Sequence, residues 1–318
     1  MRVVASAGRE DIAMVYIVEF DHDRLVECVE AVQPPTPRDK KWVLLVSTMF
    51  GCPVGCKMCD AGGHYQGKAT ENEILAQIDW LVEKRYPGGN IPSEQFKIQF
   101  ARMGEPALNP HVLTVLELLP DRYCAPGMMP SISTIAPASA RNFFDKLVEI
   151  KRAKYSGGHF QFQFSLHTTD EGLRDELIPV KKWSFQQMAE YGERFYNDGD
   201  RKITLNFALA RDMPLDPQVL LQYFTPDKFL IKITPLNPTY RAAENRLLSY
   251  FDPLQGNESD ALVAALRLAG FEVLVSIGEV EESYIGSNCG QYVKRHLAAM
   301  EPMKEGYTYQ VQVHSLYD

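Results

Sequence analysis

The sequence contains no apolar run approaching the roughly 20 residues that a membrane-spanning helix needs, so an integral helical membrane protein is not expected. Its opening residues, Met1 to Asp11, lack the apolar stretch of a secretory signal. Basic residues are outnumbered, 33 Lys and Arg against 41 Asp and Glu, for a formal net charge of −8. Non-specific nucleic-acid binding rests on phosphate neutralisation, so this balance speaks against a broad RNA-coating surface. Small basic clusters at Arg38 to Lys41, Lys151 to Lys154 and Lys181-Lys182 read as solvated faces. Cysteine is also scarce. Six residues without even spacing make no disulfide framework and point to a reducing compartment, so a cytoplasmic location is expected.

Three of those cysteines are concentrated in one stretch, Cys52-Pro53-Val54-Gly55-Cys56-Lys57-Met58-Cys59, directly after the apolar run Trp42 to Val46. Such a triplet on a loop at a strand end packs poorly and ligates metal well. Structural zinc takes four ligands in closed tetrahedral geometry, and an iron–sulfur cluster is ordinarily held by four thiolates. Three cysteines would hold three irons of a cubane cluster and leave the fourth open to a small molecule. The loop thereby resembles that of the radical S-adenosylmethionine (SAM) enzymes, in which the open iron is chelated by the cofactor. A non-enzymatic zinc module, with His64 as the fourth ligand, is the competing reading.

Around this loop the pattern is regular. Ala13 to about Val32 reads as a β-hairpin, and Gln33-Pro34-Pro35-Thr36-Pro37 as a linker. Glu71 to Arg85 carries Ile74, Leu75, Ile78, Leu81 and Val82 at helical spacing. Strands are then predicted at 96–101, 131–134, 160–166, 202–210, 229–234 and 271–277, with helices at 110–119, 140–151, 184–196, 217–224 and 258–269. Alternation of this kind means a parallel sheet with crossover helices. The expected fold is α/β, a partial (β/α)6 TIM-like barrel (residues 41–278) preceded by a hairpin and linker (1–40). A C-terminal extension (279–318), with a loop and helix at 289–300 and a strand at 307–313, packs back onto it. In such barrels the chemistry sits where strands run out into loops. Those positions hold Gly104-Glu105, Ser133, Ser165-Leu166-His167 and Asn237.

The ordered set Cys-x3-Cys-x2-Cys, Met-Gly-Glu-Pro, Ser-Thr, Ser-Leu-His followed by Arg174 to Pro179, Asn-Pro and Cys-Gly-Gln resembles the radical SAM adenine-C2 methyltransferases of ribosomal and transfer RNA and their adenine-C8 relative. The resemblance runs from about Val15 to about Val293. It implies a [4Fe–4S] cluster on Cys52, Cys56 and Cys59, with SAM bound by Gly104, Glu105, Ser133, Ser165, Leu166, His167 and Asn237. It further implies that Cys289 accepts a methyl group from a first SAM, that Glu27 is a proton acceptor, and that an external flavodoxin or ferredoxin supplies electrons. A second cysteine of the family, which resolves the covalent adduct, falls here on Leu45. Cys28 would have to substitute, yet strand alternation puts it on the face opposite Glu27. The family's N-terminal RNA-binding domain also has no counterpart before the hairpin. The resulting expectation is a radical SAM methyltransferase-like enzyme passing a one-carbon unit through Cys289 to a small molecule, nucleoside or peptide rather than to a large RNA. Direct hydrogen abstraction without methyl transfer and full RNA adenine methylation are the alternatives.

Overall fold

The computed structural model describes all residues except 22–23, 252–260, 277, 279, 289–290, 294–302, 304–305 and 315–318. The first four strands, β1 (Arg2–Arg9), β2 (Ala13–Phe20), β3 (Arg24–Ala31) and β4 (Lys41–Val46), form an antiparallel meander. From β4 onward the chain alternates. The order is α1 (Glu71–Arg85), β5 (Gln95–Phe100), α2 (His111–Arg122), β6 (Met128–Thr134), α3 (Arg141–Lys154), β7 (Gln161–Ser165), α4 (Glu171–Leu177), α5 (Phe185–Phe195) and β8 (Ile203–Leu209). Then follow α6 (Pro217–Leu221), β9 (Phe229–Pro235), α7 (Tyr240–Glu244), α8 (Ala261–Leu268), β10 (Glu272–Val275), α9 (Val280–Ile285) and β11 (Gln312–Val313). Neighbouring strands from β4 to β10 pair in parallel, and the whole is one mixed sheet, β10-β9-β8-β7-β6-β5-β4-β3-β2-β1-β11. The expected α/β partial barrel is therefore present, joined to the hairpin without a break in the sheet.

Strand alternation explains how the barrel is filled. In β5, Phe96, Ile98 and Phe100 are fully buried, and Phe96 stacks on Trp42 of β4, centroids 4.9 Å apart. These residues face the helix layer, where each large side chain contributes roughly 1.5–3 kcal/mol. The alternate positions, Gln95, Lys97 and Gln99, therefore line the lumen. The same rule gives an inward row of Gln161, Gln163 and Ser165 on β7 and of Thr204 and Asn206 on β8. A polar lumen inside an apolar shell is the setting for a site, not a packed core. Two helices are fixed by reciprocal capping boxes, Thr70 with Glu73 for α1 and Ser184 with Gln187 for α5.

The structure adds β1, absent from the predicted elements, and finds β11 shorter than the predicted strand at 307–313. β11 pairs antiparallel with β1 at Ala5↔Val313 and Ser6↔Gln312. Among the basic clusters, Lys151 is not a solvated residue: its ammonium is buried on the Asp200 carboxylate and the Phe195 carbonyl. The predicted helix at 289–300 lies almost wholly outside the described residues. No helix among those described is long and apolar enough to cross a membrane.

Candidate active site

The cysteine loop leaves the C-terminal end of β4 and is folded by its own backbone. Cys52 N donates to Ala61 O at 2.8 Å and Cys59 N to Cys56 O at 3.2 Å. Gly55 adopts φ +70°, and a Cβ on Gly62 would lie 2.8 Å from the Gly55 Cα, so the two limbs touch at glycine. The segment after β9 clamps the loop from outside. Thr239 Oγ1 donates to Met58 O, Asn245 Nδ2 to Lys57 O and Arg241 Nη2 to Gly55 O, while Asp60 accepts from the amides of Tyr240 and Arg241. Val54, Met58, Ile135, Ile178, Leu236 and their neighbours form an apolar collar against which Cys52 and Cys56 pack. Burial in it pushes the Cys52 thiol up to about 11 and the Cys56 thiol up to about 12, so ionised sulfur here needs a cationic centre.

The donor set suits an iron–sulfur cluster. The buried Nε atoms of Arg241 and Arg174 lack hydrogen-bond partners, although Arg241 Nη2 already rests on the cysteine loop. The orphaned Arg241 donor beside the loop fits the negative charge of a thiolate-bound cluster or of a cofactor carboxylate.

Of the strand-end residues, Gly104 and Glu105 stand against this loop. Glu105 is buried, accepting from Thr134 Oγ1 at 2.5 Å, Ala107 N at 3.1 Å and Ile135 N at 3.0 Å. Burial raises its carboxyl to about 7, partly countered by those three bonds. Gly104, at φ +100°, stands so close to the loop that a Cβ would lie 2.6 Å from Met49 Cγ. Its free space serves the chain itself. Gly104→Ala is expected to cost about 1–3 kcal/mol and to shift Thr48–Met49 at the loop's base, checked by urea unfolding. Ser133 and Ser165 are half-buried at the ends of β6 and β7, and Leu166 is buried. Asn237 follows β9, half-buried.

His167 takes φ +68°, a left-handed backbone uncommon for any residue but Gly. Its Nδ1 accepts from Ala208 N at 3.1 Å, which fixes the neutral tautomer with the proton on Nε2. Burial, then the Arg174 guanidinium, lowers its pKa from 6.5 to about 4. A group depressed in the folded state contributes stability above its unfolded pKa and loses it as pH falls. Protein without cofactor is therefore expected to lose about 2 kcal/mol from this residue between pH 7 and pH 5. A His167→Gln variant should show a correspondingly flatter pH dependence in urea titrations, and an unchanged slope would refute the assignment.

Glu27 is buried on the lumen face of β3. Its Oε2 receives Nε and Nη2 of Arg102, while its Oε1 accepts Tyr292 N at 2.6 Å and Val293 N at 2.8 Å. Arg102 in turn donates to the Ser287 and Gly286 carbonyls. The carboxylate thus pins the backbone on both sides of 289, either directly or through Arg102. Cys289 itself lies outside the described residues. Tyr307 adds a second tether: its hydroxyl donates to Asp60 Oδ2 at 2.6 Å and accepts from Gln291 N at 2.8 Å. Leu45 is opposite Val29 in the β3–β4 register, which places it on the same face as Glu27. Cys28 is opposite Tyr16 and faces α1, where Tyr16 meets Trp80 edge to face. Burial pushes the Cys28 thiol up to about 12. Arg102, Asp60, Tyr307 and Arg241 were not singled out in the sequence. Their partners are far away along the chain, and no short motif holds them.

The architecture and its cysteine loop define a radical SAM-type barrel. A radical SAM methyltransferase from Sphaerobacter thermophilus has this fold, with TM-score 0.68 at 20% identity, covering 92% of this chain and 82% of that one. In sequence the chain is similar to a probable dual-specificity RNA methyltransferase RlmN of Synechococcus sp. (strain RCC307), 28% identical over 268 residues, 83% of this chain and 72% of the relative. The dual-specificity RNA methyltransferase RlmN of Pseudomonas putida (strain W619) is 26% identical over 284 residues, 84% and 67%. No family model matches. The resemblance to this group of RNA methyltransferases holds: the chain is similar to them over most of its length, a methyltransferase-like enzyme with the fold of a radical SAM methyltransferase.

One expectation is corrected. A small molecule, nucleoside or peptide was favoured over large RNA, whereas the relatives matched along most of the chain are RNA methyltransferases. Net charge is a sum over the whole surface. It does not report where cations are concentrated.

Proposed function

We propose that this chain is a radical SAM C-methyltransferase acting on an adenine of RNA, with Cys289 as the carrier of the transferred carbon. The observation that supports this most is the tethering of both flanks of Cys289. Gly286 and Ser287 are held by Arg102, and Tyr292 and Val293 by Glu27. Tyr307 links Gln291 to Asp60 in the cysteine loop. A thiol that only filled a core would not need its backbone fixed to the barrel end by a buried ion pair. When bound, the cluster and SAM supply a 5′-deoxyadenosyl radical. The chain's own residues hold the cysteine arm and exclude water through the apolar collar. His167, neutral, presents an Nε2 proton as a donor.

A second reading, hydrogen abstraction from the substrate with no methyl carried, is favoured by one observation. Leu45 occupies the position on the Glu27 face where a resolving thiol would stand, and Cys28 faces away. One experiment separates the two. Anaerobically reconstituted protein is incubated with SAM, reductant and RNA, then assayed for 5′-deoxyadenosine, S-adenosylhomocysteine, the mass of the Cys289 peptide and methyladenosine in the digested RNA. The proposal expects all four signals. 5′-Deoxyadenosine without S-adenosylhomocysteine, and with unmodified Cys289, would support the second reading instead.

A further inference from the structure

The N-terminal end of the barrel lumen, opposite the cysteine loop, gathers cations that the chemistry above does not use. Lys41 is the first residue of β4, Lys97 lies within β5, Arg201 shortly precedes β8, and Lys232 lies within β9. Lys97 is paired in register with Val43 and Met129, on the face opposite the buried Phe96 and Ile98. Three strands separate β5 from β9 in the sheet, so Lys97 and Lys232 can approach only across the lumen. Burial first, then the like charges of Lys232, Lys41 and Arg201, bring the Lys97 ammonium down to about 7.

Exposure is graded along the set. Arg201 is exposed at the rim, Lys41 and Lys232 are half-buried, and Lys97 is only 9% exposed. Among the described residues Lys97 has neither a hydrogen-bond nor an ion-pair partner, and only cations influence its charge. Buried Thr204 and Asn206 add hydroxyl and amide donors on the facing wall. A buried, unpaired lysine among other cations costs several kcal/mol, and an apolar residue would fill its place more stably. What offsets such a cost is an anion that arrives from outside.

We propose that this end of the lumen is an oxyanion site that takes a phosphate group of the nucleotide substrate. This rests on the RNA reading above and deepens it. Lys97 lies three residues before the end of β5, roughly 10 Å at about 3.3 Å per residue. That depth lets a nucleotide held by its phosphate at Lys97 reach its base toward the cofactor end, while the exposed Arg201 meets the strand outside.

The test is calorimetric titration of the anaerobically reconstituted protein with adenosine, 5′-AMP, inorganic phosphate and a short single-stranded RNA. The site predicts that 5′-AMP binds at least tenfold more tightly than adenosine, with an advantage that shrinks as salt rises. Lys97→Met should bring 5′-AMP to the level of adenosine and weaken the RNA, leaving adenosine unchanged. Removing an unpaired buried charge should not unfold the protein, and Arg201→Ala at the rim provides a second variant with the same expected direction. Equal affinity for adenosine and 5′-AMP, or 5′-AMP binding indifferent to both substitutions, would overturn the proposal. Tight binding of inorganic phosphate with no gain for 5′-AMP over adenosine would also overturn it, as an adventitious ion only. The two readings fail separately. Phosphate-dependent binding without RNA methylation retires the RNA substrate and keeps the anion site; RNA methylation untouched by Lys97→Met does the reverse.

Discussion

Alanine at any one of Cys52, Cys56 or Cys59 is expected to reduce SAM cleavage to the assay background and to deplete the protein of iron, while the fold survives. In the proposed reading each residue's thiolate is one of three cluster ligands on this loop, and the loop offers no fourth cysteine as a spare. The backbone is shaped independently of the metal by Gly55, Gly62 and the clamp from Thr239, Arg241 and Asn245, so far-ultraviolet circular dichroism should be unchanged. Iron content and electron paramagnetic resonance of the reduced protein measure the effect. A brown, iron-replete Cys56→Ala protein would remove the cluster assignment. Stoichiometric zinc in the wild type after anaerobic purification would do the same.

The largest loss of stability is expected from Arg102→Met. Arg102 and Glu27 are almost completely buried, and removing one partner leaves the other's charge uncompensated, a penalty of about 3–5 kcal/mol. The double variant Arg102→Met with Glu27→Gln should recover a substantial part of that loss. It buries no charge and still offers an acceptor to Tyr292 N and Val293 N. A double-mutant cycle by urea unfolding gives the coupling, which should exceed about 1 kcal/mol for groups in direct contact. Function should not recover in parallel. With the Gly286 and Ser287 carbonyls released, methylation of Cys289 should fall even in the refolded double variant, as read from its peptide mass. Additive stabilities within about 0.3 kcal/mol would show that the pair does not act as a unit.

The barrel was legible because its strands alternate strictly, as in Phe96, Ile98 and Phe100 against Gln95, Lys97 and Gln99. The cysteine loop was legible because three ligands fall within one turn of chain. β1 was not. Its run of Val, Ala, Ser, Ala and Gly carries few strong strand formers, and its place is set by pairing with β2 and β11. Glu27 could be singled out only through the family resemblance. That its carboxylate holds the cysteine arm depends on partners 75 and 265 residues away, which no local pattern encodes. Lys97 was hidden for a related reason: an isolated lysine in a strand reads as a solvent-facing residue until the sheet curls and gives it a lumen.

Tyr307 joins Asp60 across 247 residues and Gln291 across 16, which has a consequence in time. Closing so large a loop is entropically late, and Arg102 must find Gly286 and Ser287 across comparable separations. The arm that carries Cys289 is therefore expected to dock after the barrel has formed, leaving an interval in which the cysteine loop would stand open to whatever delivers iron and sulfide. Thiol labelling during refolding should find Cys289 reactive longer than the buried Cys28, and a Tyr307→Phe chain should prolong that interval.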